Sequence, residues 1–146
     1  MQLEIKLDGS YTDPKVIVLT AAMTEEVNTI LNKLSESTPQ IISGSKNERI
    51  EVIEQEDLIR IYANAGKVFA VTDKGEYTIR FRLYEMEERL NSTQFVRISN
   101  SEIINLKKVK NFDLSITGTI CVELKNGTRT YVSRRYVSKI KAILGI

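Results

Sequence analysis

The chain has 146 residues, 42% of them hydrophobic and 27% charged, with a net charge of +2. That is about one domain with room for a small appendage. No apolar run reaches the roughly 18–20 residues of a membrane-spanning helix, and MQLEIKLDGS lacks the basic and apolar regions of a secretory signal. One cysteine, Cys121, cannot close an internal disulfide, and histidine is absent; this fits a reducing, cytoplasmic setting and removes most acid–base and zinc chemistry.

Leu3, Ile5 and Leu7 alternate through LEIKL, which predicts a strand. After a turn with Gly9 and Pro14, KVIVLT predicts a second. Thr24 is placed to cap a helix with Val27, Ile30, Leu31 and Leu34 on one apolar face. Valine at its third position leaves the capping box incomplete. SESTPQ, with Pro39, ends that helix and forms a linker. This ββα extension, residues 1–40, is too small to be stable alone on size grounds.

Beyond it, QIISGS, RIEVIE, IRIYA, KVFAVT and EYTIRFR are short strands, with a hairpin signal in DKG at 73–75. LYEMEERL is a short amphipathic helix with Leu83, Met86 and Leu90 inward, and the strand QFVRIS follows. SEIINLKKV fits either a helical turn or an irregular connection. FDLSI, TICVEL and TRTYVS are strands, the last two joined by an Asn126-Gly127 hairpin turn. Val137, Ile140 and Leu144 mark a closing helix, with Ser133 as N-cap and Val132 and Val137 as a hydrophobic staple. The fold class expected is α+β, mostly β, with residues 41–146 as the main domain.

Catalysis is not expected, nor any cofactor or metal. Cys121 inside TICVEL reads as a small core residue, the acids of EMEERL as solvated charges, and no phosphate-cradling glycine motif is present. Charge is unevenly spread: residues 1–45 hold six acids and three bases, whereas residues 95–146 hold ten bases and three acids. Such polarity suggests a polyanion partner for the last third. VRISNSEIINLKKVK carries Arg97, Asn100, Lys107, Lys108 and Lys110. Asn100 at the mouth of a strand can read an adenine edge or serve as a turn residue. VSRRYVSKI puts Arg134 and Arg135 in the first helical turn, where the macrodipole disfavours cations. The pair suits phosphate or guanine, toward which the helix amides also point; the alternative is an ordinary surface pair.

FVRISNSEIINLKKVK followed by TICVELKNGTRTYVSRRYVSKIK resembles the second half of the LytTR DNA-binding domain. That family shows F-x-R-x-[HS]-x-S-x-x-[IV]-N, then a strand, a polar turn and [VS]-S-R-x-[YN]-V-x-x-[IL]. Phe95, Arg97, Ser99, Ser101, Ile104 and Asn105 fit the first pattern; Val132, Ser133, Arg134, Tyr136, Val137 and Ile140 fit the second. EDLIRIYANAGKVFAVTDKGEYTIRFRLYEMEERL is similar to the family's first half, so the likeness spans about residues 45–146. It implies a mostly β fold that docks on double-stranded DNA through loops and binds direct repeats in promoters.

Carried over by position, the resemblance makes Asn100 and Arg135 base-contacting. Lys67, in Asn64-Ala65-Gly66-Lys67, stands where some members have a histidine and would make the third base contact in its place. Another frequent histidine is Ser99 here, implying a changed contact. Arg134, Ser133, Ser101, Lys107, Lys108, Lys110 and Lys139 would face the DNA backbone. The chain is similar to members without a phosphoacceptor receiver, often restrained by a cognate membrane inhibitor protein. Residues 1–40 would then serve dimerisation or inhibitor docking. Two other readings compete: an adaptor whose basic face binds an acidic or membrane-protein partner, and, ranked last, a single-strand or RNA binder, which needs exposed aromatics.

Overall fold

The computed structural model describes residues 1–35 and 41–146, and the chain divides into two units, residues 1–39 and 40–146. The greater part of the SESTPQ linker lies outside the described residues.

The described residues of the first unit contain one helix, α1 (Glu25–Ser35). Thr24 caps it, its hydroxyl accepting from the Val27 amide at 3.3 Å. Val27 is buried and Ile30 half-buried, while Leu31 and Leu34 on the same face are exposed. LEIKL and KVIVLT are not strands. Alternation supplies a two-faced surface but no partner, and without a ladder nothing holds an extended segment in a sheet. Leu3, Leu7 and Leu19 are accordingly at least 90% exposed.

The second unit is built on a seven-stranded antiparallel sheet of order β2-β1-β5-β4-β3-β7-β6. Its strands are β1 (Ile42–Lys46), β2 (Arg49–Ile53), β3 (Arg60–Asn64), β4 (Lys67–Thr72), β5 (Gly75–Ile79), β6 (Phe95–Ser99) and β7 (Glu102–Asn105). Two-residue turns at Asn47-Glu48 and Ala65-Gly66 have positive φ throughout, the primed geometry that matches strand twist. Gly44 lets Tyr77 close over the sheet: a Cβ there would lie 2.6 Å from the Tyr77 Cβ. SEIINLKKV resolves into β7 and a 3₁₀ turn at Leu106–Lys108, fastened by buried Asn105. The Asn105 amide donates to the Leu58 carbonyl at 2.7 Å and accepts from the Lys107 amide at 3.0 Å.

One face of the sheet packs Ile61, Val68, Ala70 and Ile103 with Leu83, Met86 and Leu90 around α2 (Leu83–Arg89), as the apolar spacing predicts. The opposite face, at the β6–β7 end, packs Ile59, Val96, Ile98 and Ile104 against a three-stranded sheet of order β10-β9-β8 and α3 (Arg134–Leu144). Its strands are β8 (Val109–Asp113), β9 (Ile120–Leu124) and β10 (Arg129–Val132). β8 starts and stops three residues before FDLSI does, and its end is marked by the Asp113 carboxylate, which accepts from the Ser115 amide at 2.9 Å in the turn that follows. Cys121 is half-buried, on the face away from Ile120 and Val122, and so is not a core residue. The staple pair Val132 and Val137 joins this second core, with Ile140 at its centre. The α+β, mostly β class holds. No described helix is long and apolar enough to cross a membrane.

Candidate nucleic-acid interface

The β6–β7 hairpin turns at Asn100 and Ser101, after an irregularity between Arg97 and Ser99 that tilts the strand end. Arg97 grips this turn from inside. Its Nε donates to the Ser99 carbonyl at 2.8 Å and its Nη2 to the Asn100 carbonyl at 2.6 Å, while Nη1 reaches Glu87 Oε2 on α2 at 2.9 Å. With its side chain only 15% exposed, Arg97 is spent on the protein rather than offered to a ligand. Behind the turn, Glu102 lies 2.8 Å from Arg60 Nε and accepts from the Thr130 hydroxyl of β10 at 2.7 Å. The Arg60–Glu102 contact lacks hydrogen-bond alignment, so it acts through charge at close range.

The start of α3 is drawn to the same turn. The Ser133 amide donates to the Ile98 carbonyl at 2.9 Å, and the Tyr136 hydroxyl donates to Asn100 Oδ1 at 3.2 Å. Ser133 occupies the N-cap position, but its hydroxyl makes no capping bond, contrary to the sequence expectation. The first turn carries no acid. Arg134 and Arg135 are exposed there, and Lys139, also exposed, follows Arg135 on the same helical face. Two guanidinium groups thus stand where uncapped amides and the helix dipole favour an anion.

The β3–β4 turn lies alongside, since the Ala63 amide donates to the Ser101 carbonyl at 2.8 Å. Lys67 is exposed and paired in register with Asn64, so its hairpin is at the Asn100 end of the sheet. Ala65 holds φ of 50° in this turn, a strained choice for alanine. Lys107 and Lys108 are at the opposite end of β7, a four-residue strand of about 13 Å. Lys110, in β8, lies 3.8 Å from Glu123. The fold therefore gathers Asn100, Ser101, Ser133, Arg134, Arg135, Lys67 and Lys139 at one end, and leaves Lys107, Lys108 and Lys110 apart. Sequence reasoning missed Glu87, Glu102, Thr130 and the role of Tyr136. Arg97 and Tyr136 stood inside the quoted motifs, whereas Glu87 and Thr130 carry no local signal. Among the described residues no cluster of His, Cys, Asp or Glu could hold a metal ion.

Residues 48–145 match the family model of the LytTr DNA-binding domain. Two proteins of Staphylococcus aureus, strains NCTC 8325 and COL, are each 30% identical over 147 residues, covering 100% of this chain and 99% of their own. Both are named uncharacterized HTH-type transcriptional regulators. In the present chain no two described helices are consecutive, so it contains no described helix-turn-helix pair. A solved LytTr DNA-binding domain from Bacillus cereus shares the fold at a TM-score of 0.70 and 21% identity, covering 73% of this chain and 98% of that one. The chain belongs to the LytTr DNA-binding domain family and, with it, to the DNA-binding regulators of transcription.

Proposed function

We propose that the protein reads specific base pairs in the major groove through loops, on direct repeats occupied by copies arranged head to tail. The observation that carries this reading is the joining of two sequence-distant elements in one hydrogen-bonded cluster. The Asn100 turn and the α3 start meet through Tyr136–Asn100 and Ser133–Ile98, with exposed Arg134 and Arg135 beside them. Asn100 and Arg135 read bases, Lys67 adds a third contact, and Arg134, Ser133, Ser101 and Lys139 hold phosphates. Lys107, Lys108 and Lys110 reach only flanking backbone. Residues 41–146 are the DNA-binding domain, and residues 1–40 serve self-association or docking of a cognate membrane inhibitor.

Arg135→Ala is expected to weaken a duplex selected by the parent by about 1–3 kcal/mol and to relax preference at one base pair. Lys108→Ala should weaken selected and scrambled duplexes alike and lower the salt slope by about 1. Anisotropy titrations across a salt series check both. Arg135→Ala binding as tightly as the parent overturns the base assignment, and a protein that ignores duplex DNA at low salt favours the adaptor reading.

A further inference from the structure

Asn100 is an exposed turn residue, and an exposed amide ordinarily samples several rotamers, which makes it a poor reader of a base edge. Here it is held from two sides. The Arg97 guanidinium binds the carbonyls of Ser99 and Asn100 and is itself anchored by Glu87 of α2, fixing the main chain of the turn. The Tyr136 hydroxyl engages Oδ1 at 3.2 Å from α3, where the tyrosine ring packs against the second core. Tyr136 directly follows Arg135.

We infer that Arg97 and Tyr136 are positioning residues for sequence readout, which lock the Asn100 amide to the helix bearing Arg135 and leave its NH₂ group facing outward as a donor. The inference rests on the proposed base-reading role of Asn100 and adds how the contact is made selective. With Oδ1 turned toward α3, the outward donors favour a base edge rich in acceptors, such as the N7 and O6 of guanine, over one that needs a donor and an acceptor together. Removal of either restraint releases the amide without touching a phosphate-binding charge, so discrimination falls while non-specific binding stays.

The test uses the full-length protein and a randomised duplex library, followed by affinity measurements on the selected duplex and a scrambled duplex of the same composition. Tyr136→Phe keeps the ring and removes one oxygen. It is expected to weaken the selected duplex about fivefold, the value of one neutral hydrogen bond of about 1 kcal/mol, and to broaden preference at the Asn100 position alone. The scrambled duplex should bind unchanged. Asn100→Ala should broaden the same position, and adding Tyr136→Phe to it should cost nothing more, the coupling expected of two groups acting through one bond. Arg97→Lys, which keeps the charge but loses the three-point grip, should broaden that position too. In the DNA-free protein, Tyr136→Phe should shift the Asn100 side-chain amide resonances, with the backbone pattern of the fold retained.

Unchanged amide resonances, strictly multiplicative losses in the double variant, or equal weakening of the scrambled duplex overturns the inference. A parent protein that selects no sequence overturns the base-reading function and the inference with it. A clear consensus sensitive to Arg135→Ala, together with a Tyr136→Phe profile identical to the parent's, overturns the inference alone.

Discussion

LEIKL near the start of the chain and RIEVI at Arg49–Ile53 both alternate apolar and charged residues, yet only the second is a strand. RIEVI has ISGSK beside it through a two-residue turn, with Ile42 opposite Ile53 and Lys46 opposite Arg49. LEIKL has Asp8–Pro14 after it and no ladder partner among the described residues. The difference extends to whole regions. Within residues 1–35 the buried apolar side chain is Val27, whereas residues 41–146 pack one core on one face of the large sheet and a second on the opposite face at its β6–β7 end. A strand is a property of a pair: RIEVI is held by its ladder to ISGSK even though Ile50 and Val52 remain exposed and only Ile53 is buried.

The contrast can be broken by substitution. Glu102→Ala, in the second region, strands the Arg60 guanidinium and the Thr130 hydroxyl behind the candidate site. It should cost about 2 kcal/mol by urea unfolding, discounted from a fully buried pair because Arg60 is one-fifth exposed. Leu7→Ser, in the first region, removes a large apolar side chain that is 95% exposed and should change the unfolding free energy by less than about 0.5 kcal/mol. A Leu7→Ser loss comparable to that of Glu102→Ala would show that the first region is covered in solution.

The smallest effect sharpens the comparison, because both regions contain the same local turn. The Asp8 carboxylate accepts from the Ser10 amide at 2.9 Å and hydroxyl at 2.8 Å, and Asp113 accepts likewise from Ser115, its amide at 2.9 Å. These bonds favour the charged form and hold each carboxyl below its ordinary 3.8. A depressed folded value contributes stability that is present above 3.8 and lost as pH falls through the lower folded value. Carboxyl titration by NMR should place both below 3.8, with Ser10→Ala and Ser115→Ala moving each upward. An ordinary value at Asp8 beside a depressed one at Asp113 would show that even short-range turn chemistry needs the surrounding sheet.

Much of the second region was legible because its signals are local. Leu83, Met86 and Leu90 at helical spacing, the alternation of KVFAVT, and the Asp-Lys-Gly and Asn-Gly turns each act within a few residues, and all took the predicted form. SEIINLKKV resisted because its rigidity comes from Asn105 bonding Leu58, 47 residues away. The basic polarity of residues 95–146 and the Asn100 and Arg135 motifs were likewise visible in order, but not in space.

By itself, then, the sequence determined most element types after residue 41, SEIINLKKV and the bounds of β8 apart, together with the identity of the motif residues and the charge that an anionic partner must meet. Tertiary structure alone decided that LEIKL is not a strand, that Ser133 does not cap with its side chain, and that Lys107 and Lys108 stand apart from Asn100. It also decided that Glu87, Arg97, Asn100 and Tyr136 form one connected cluster. The physical reason is range. Propensity, alternation and turn geometry are settled between near neighbours, whereas a hydrogen bond between residues 100 and 136 exists only once two cores have closed on opposite faces of the same sheet.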